Sequence, residues 1–147
     1  MLKKPLKKTI VISILIITSQ IAVKAATANQ AYNPIPLPLG KEIKDNLSKE
    51  DFPTGEGGFA RDYIVNLKQG ELVEIEVKSG SFDTLLTLLS PKGVTIDQND
   101  DMAEGTTDSL IYTRIPKAGN YTVRVRSFGN QSAEGLFTLR LTRLKRE

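Results

Sequence analysis

The chain has no cysteine, no histidine and no tryptophan. Without cysteine there is no disulfide staple and no thiolate metal site, so the fold must be held by its own interior. Without histidine, Ser-His-Asp and Cys-His machinery and imidazole metal ligands are excluded, together with the usual proton carrier near neutral pH. Without tryptophan, the four tyrosines and five phenylalanines offer little for stacking on sugar rings. Beyond the first 25 residues no apolar pattern keeps a 3.6-residue period, so helices are not expected.

Positive charge is concentrated at one end. MLKKPLKK carries four lysines, and an apolar stretch of 14 residues follows from Ile10 to Val23. Val23-Lys24-Ala25 and Ala26-Thr27-Ala28 then place small residues where a signal peptidase reads them. That order is the one of a secretory signal peptide. The stretch is interrupted by Ser13, Thr18, Ser19 and Gln20, and a spanning helix needs about 20 apolar residues. The expectation is therefore a signal peptide over 1–25, a Pro-rich linker or arm over 26–40 and one domain over 41–147, secreted or periplasmic. No membrane span is expected after cleavage, and no cysteine stands ready for a lipid anchor. The whole chain is +3, with 20 basic and 17 acidic residues. Cleavage after Ala25 removes Lys3, Lys4, Lys7, Lys8 and Lys24, which leaves 15 basic against 17 acidic residues, a net −2. A nucleic-acid partner is not expected of such a domain.

The remainder reads as strands. GELVEIEVKSG sets Val73, Ile75 and Val77 against Glu74, Glu76 and Lys78. GNYTVRVRSFG and GLFTLRLTRL alternate in the same way, and RDYIVNL places Tyr63, Val65 and Leu67 inward. Period-2 alternation marks strands with one buried face. DTLLTLLS and SLIYTRI are more continuously apolar, as expected of strands covered on both sides. KEIKDNL and GVTID are shorter candidates. Gly and Pro turn signals separate the runs, among them Ser90-Pro91-Lys92-Gly93 and Pro116-Lys117-Ala118-Gly119. About eight short strands predict an all-β antiparallel sandwich or barrel.

These motifs resemble a family. GEGGFARDYIVNLKQGELVEIEVKSGSFDTLLTLLSPKGVTIDQNDD, then SLIYTRIPKAGNYTVRVRSFG, then GLFTLRL are similar to the bacterial pre-peptidase C-terminal domain, here as a stand-alone module over residues 41–143. The resemblance implies a jelly-roll-like β-sandwich of the secreted accessory kind, which aids secretion, folding or attachment to substrate in multidomain exoenzymes. It also implies an exported protease or an extracellular polymer as partner, and calcium in the related collagen-binding modules.

The acids after the Leu-Thr run are the candidate site. Asp97, Asn99 and Asp101 occupy relative positions 1, 3 and 5, with Asp108 at 12, the spacing of an EF-hand loop. Met102 stands where that loop requires glycine, and the flanks read as strands. A calcium site of another shape remains open, drawing on Asp83, Asn99, Asp100, Asp101 and Asp108, with Glu104 nearby, because calcium accepts six to eight oxygens in flexible geometry. The plainer reading is that these residues accept loop amides and fix a reversal between strands. Paired carboxylates of a small carbohydrate-active hydrolase are a third reading. Arg124, Arg126, Arg140 and Arg143 are expected on one outer face, paired across strands with Glu71, Glu74 and Glu76. The functional expectation is a non-catalytic binding module acting in adhesion, substrate attachment or stabilisation of an exported partner.

Overall fold

The computed structural model describes residues 32–55, 57–129 and 133–145. The segment expected to be a signal peptide, 1–25, and the first part of the expected arm lie outside these residues. Tyr32–Glu147 forms one compact unit.

Ten strands make two sheets: β1 (Ile35–Pro36), β2 (Glu42–Leu47), β3 (Phe52–Pro53), β4 (Phe59–Leu67), β5 (Leu72–Lys78), β6 (Thr84–Leu89), β7 (Thr95–Asn99), β8 (Ser109–Arg114), β9 (Gly119–Ser127) and β10 (Gly135–Leu144). The first sheet runs β1-β4-β9-β6-β7, with β3 also against β4, and the second runs β2-β10-β5-β8. The protein is thus an all-β sandwich, and its eight longer strands are the eight that the alternating pattern predicts. The two short pieces were not predicted. Each makes only two residue pairs with β4, and β1 does so in parallel. Its neighbour Leu37 is buried and donates its amide to the Ile64 carbonyl at 2.9 Å. The visible part of the Pro-rich arm therefore serves as a sheet edge.

The alternation sets what is inside. Val73, Ile75 and Val77 on β5 share one interior with Val123 and Val125 on β9, Tyr63, Val65 and Leu67 on β4 and Leu139 and Leu141 on β10. Each side chain fully buried in this way contributes about 1.5–3 kcal/mol. Phe137 joins the aromatic members edge-to-face, 6.4 Å from Tyr63 and 6.2 Å from Phe82. Strand β6, TLLTLL, is buried on both faces along nearly its whole length, as its composition predicts.

Two expectations are corrected. SLIYTRI was expected to be covered on both sides, yet β8 is the edge of the second sheet, with Tyr112 58% exposed. Only Ser109 and Ile111 of β8 point into the core, and among the described residues no third layer covers the other face. The four arginines do not share a face either. Arg124 and Arg126 lie on β9 and Arg140 and Arg143 on β10, so the two pairs belong to different sheets. Their pairing with acids is as expected for β10, where Arg140 meets Glu76 and Arg143 meets Glu71, each at 3.1 Å. Arg124 instead forks onto Asp62, at 2.8 and 2.7 Å.

Candidate binding surface

The acidic loop joins β7 to β8 at one end of the sandwich, and hydroxyls lace that end together. Thr84 Oγ1 donates to the Thr107 carbonyl at 2.8 Å and lies 2.6 Å from Ser109 Oγ. Ser109 Oγ also reaches the Asp100 carbonyl at 3.1 Å. Thr107 Oγ1 donates to the Ser79 carbonyl at 2.7 Å, and Ser79 Oγ to the Leu136 carbonyl at 2.8 Å. Thr84, Ser109 and Ser79 are buried, so each hydroxyl satisfies a backbone group that water cannot reach. Sequence reasoning missed this network, although a Ser or Thr at each strand end was its signal.

Two of the five predicted site residues serve the same purpose, as does Asp97. Asn99 Oδ1 accepts the Leu110 amide at 2.9 Å, and Asp108 Oδ1 accepts the Ser79 amide at 3.1 Å. Asp97 accepts the amide of Gln98 at 2.9 Å. The Asp108 carbonyl accepts the Met102 amide at 2.6 Å, which closes the loop. Asp83 lies within electrostatic reach of Asp100 and Asp101. Partial burial pushes the Asp83 carboxyl up, and the negative charges of Asp101 and Asp100 push it further. Glu104 is exposed. Among the described residues no three acids converge in a way that holds a metal ion. The five residues are thus divided: Asn99 and Asp108 turn to backbone amides, and Asp83, Asp100 and Asp101 form an electrostatic cluster.

A concave surface lies on the outer face of the second sheet. It encloses about 710 Å³ and is lined by Lys44 of β2, Leu136 and Thr138 of β10, Lys78 of β5 and Asp108. Strand register builds it: Thr138 pairs with Lys44 on one side and with Lys78 on the other, so the three side chains stand in one row. Lys78 Nζ is held 2.9 Å from Glu76, and its ammonium is pushed up by that hydrogen bond and charge. Leu136 is 69% exposed. A smaller recess of about 230 Å³ on the first sheet is lined by Thr87, Gln98, Arg124 and Arg126.

At the opposite margin, a charged cluster joins the sheets. Arg61 Nε meets Asp45 at 2.8 Å and its Nη1 meets Asp51 at 2.6 Å, while Tyr63 Oη donates to Asp45 at 2.7 Å. Burial opposes ionisation of Asp45, but hydrogen bonds from Tyr63, the Asn46 amide and Arg61 outweigh it, and its carboxyl lies below the ordinary 3.8. Burial and the Asp45 carboxylate push the Tyr63 hydroxyl well up.

Two sheets sealed around an apolar interior, with recesses on their outer faces, define a β-sandwich that presents surfaces and loops. Residues 60–127 match the family model described as the bacterial pre-peptidase C-terminal domain. The match spans 68 of the chain's 147 residues. Among solved structures the chain resembles PliG of Aeromonas hydrophila, a periplasmic lysozyme inhibitor of g-type lysozyme, with a TM-score of 0.56 and 15% identity over 76% of this chain and 96% of that one. It resembles the pre-peptidase C-terminal domain of a Bacillus anthracis collagenase with a TM-score of 0.56 and 17% identity, over 74% and 94% of the two chains. PliG of Salmonella Typhimurium follows at 0.51 and 13%, over 77% and 99%. At these identities the likeness is one of fold. No curated protein matches the sequence. Among the described residues no helix is long and apolar enough to cross a membrane.

Proposed function

We propose that the chain is an exported, non-catalytic module that binds another exported protein through the outer face of its second sheet. The observation that carries this reading is the recess there, where Leu136 is 69% exposed beside the Lys44–Thr138–Lys78 row. An exposed apolar side chain ringed by charged and hydroxyl groups is the arrangement of an interface, with an apolar centre and a polar rim. The lack of histidine and cysteine supports a binding role over a catalytic one. Two fold relatives support a protein partner, since one is a periplasmic inhibitor of g-type lysozyme and the other a domain of a collagenase. An exported hydrolase is the partner proposed, and g-type lysozyme is the first to test. Calorimetric titration should give saturable binding that Leu136→Asp and Lys44→Glu weaken at least about tenfold each, the loss expected of an interface anchor. Unchanged affinity in both variants would move the interface elsewhere. Turnover of a polysaccharide substrate that is lost in a paired Asp100→Asn, Asp101→Asn variant would refute the non-catalytic reading.

One observation favours a second reading, a calcium-responsive loop. Desolvation raises the Asp83 carboxyl first and the charges of Asp101 and Asp100 add to it; a divalent cation would relieve that added repulsion, with loop carbonyls adding oxygens. Ligand that binds only the native state raises its melting temperature by mass action. A rise in melting temperature at millimolar calcium, reversed by chelator, supports this reading; no shift removes it.

A further inference from the structure

Each sheet edge leaves a row of backbone donors and acceptors, and proteins usually block such rows against pairing with another chain. Three of the edges are blocked here. The β1 and β3 edge is made of two-residue strands set among Pro34, Pro36, Pro38 and Pro53. Strand β2 carries Lys44 and is flanked by Lys41 and Lys49, and its Asn46 amide is taken by Asp45 at 2.8 Å. Strand β7 has a register irregularity against β6 between Leu88 and Leu89, and Asp97 takes its Gln98 amide.

Strand β8 is the exception. Its sequence, SLIYTR, holds no proline, lysine or acid. Its pairing with β5 fixes which groups face outward. The Ile115 amide reaches the Glu71 carbonyl and the Ile115 carbonyl accepts from Gly70, both at 2.8 Å, so the odd-numbered residues bond inward. The Leu110 amide points the other way, to Asn99. Tyr112 and Arg114 share its parity, so their amides and carbonyls face outward, where among the described residues no strand is hydrogen-bonded to β8. The Tyr112 ring stands on the outer face and is 58% exposed.

We propose that β8 is a self-pairing edge: a second copy of this chain adds its own β8, antiparallel, about a twofold axis beside Tyr112. The outward amide and carbonyl of Tyr112 then exchange both hydrogen bonds with Tyr112 of the partner subunit, as a closely spaced antiparallel pair does. Leu110 faces Arg114 of the partner subunit, whose amide finds the free Leu110 carbonyl. Charge selects a second copy in this orientation. The acids Asp97, Asp100, Asp101, Glu104 and Asp108 gather before β8, and Arg114 and Lys117 come after Tyr112. A strand acidic at one end and basic at the other is complementary to itself only when antiparallel, and a twofold makes that match twice. The second sheet becomes a continuous eight-stranded one. An edge-to-edge contact is small, so the dimer is weak, with a dissociation constant on the order of 100 μM.

The test is sedimentation of the chain purified from its exported fraction across concentrations up to about 1 mM, a range set by that weak affinity. Wild type should pass from monomer to dimer. Tyr112→Pro removes the outward amide and spares the β5 ladder, and Tyr112→Lys sets two like charges across the axis. Both should stay monomeric with melting temperatures near wild type, and if the proline variant fails to fold the lysine variant decides alone. Amide exchange supplies a second readout: protection of Tyr112 and Arg114 should grow with concentration, while Leu110, already bonded to Asn99, should not change. A wild type that stays monomeric, including one whose β8 pairs only with a different protein, overturns the proposal. So does a dimer that survives both substitutions, or concentration-dependent protection confined to other strands.

Discussion

Replacing Asp45 by alanine tests how the two sheets are joined at their open margin. Asp45 sits on β2 of one sheet and accepts from Tyr63 and Arg61 on β4 of the other. Tyr63 is fully buried, so its hydroxyl loses its acceptor where water cannot replace it, at a cost of about 1–3 kcal/mol. Arg61 keeps Asp51 at 2.6 Å and is about a quarter exposed, so the lost ion pair adds only about 0.5 kcal/mol. The sum, about 1.5–3.5 kcal/mol, corresponds to a fall in melting temperature of about 6–20 °C for a domain a little over 100 residues long. Tyr63→Phe removes the donor with the acceptor intact and should cost about 1 kcal/mol. Because the two groups are in contact, the double variant should cost less than the sum of the singles by about 1 kcal/mol. Urea unfolding at pH 7 measures all three. Additive losses, or an Asp45→Ala cost under about 0.5 kcal/mol, would refute the reasoning.

The same carboxylate predicts a pH dependence. The Asp45 pKa is depressed in the folded state, so its contribution is present above the unfolded value near 4 and is lost as pH falls through the folded one. The stability gap between wild type and Asp45→Ala should therefore close in acid, which melting curves between pH 7 and pH 2 would show. Asp83 has the opposite sign. Its folded pKa is raised, so the charged form is disfavoured at neutral pH, and Asp83→Asn should raise the melting temperature at pH 7 and lose that advantage in acid; a lower melting temperature at pH 7 would contradict the Asp100 and Asp101 repulsion. Gly135 at φ +149° would carry a Cβ into the Ser81 side chain, so Gly135→Ala should destabilise by about 1–3 kcal/mol in the same unfolding assay. A chain that starts at Ala60, where the family match begins, should fail to give a cooperative melt, because it lacks Leu37, Leu47, Asp45 and Asp51. One that starts at Tyr32, the first described residue, should melt cooperatively.

The longer strands were legible because a half-buried strand must alternate, and GELVEIEV, NYTVRVR and LFTLRL do so without interruption. Strands β1 and β3 were not, since two residues carry no period and the prolines of the arm read equally well as linker. The exposed side of β8 was hidden for a different reason. LIY looks like buried strand, but burial depends on whether another layer lies above, and that is a property of topology. The acidic run was legible as a strand reversal through Asn99 and Asp108, whose side chains accept amides as turn residues do. The link from Asp45 to Arg61 and Tyr63 left no local trace. It spans two sheets and 16 to 18 positions of sequence, and neither charge pattern nor periodicity reaches that far.

The binding role is tested most directly by amide chemical-shift mapping of the labelled chain titrated with g-type lysozyme. The account predicts saturable shifts centred on Lys44, Lys78, Leu136 and Thr138, with the Thr87–Arg124 recess of the other sheet unmoved. Absence of any saturable shift, or shifts centred on the opposite sheet, would contradict it.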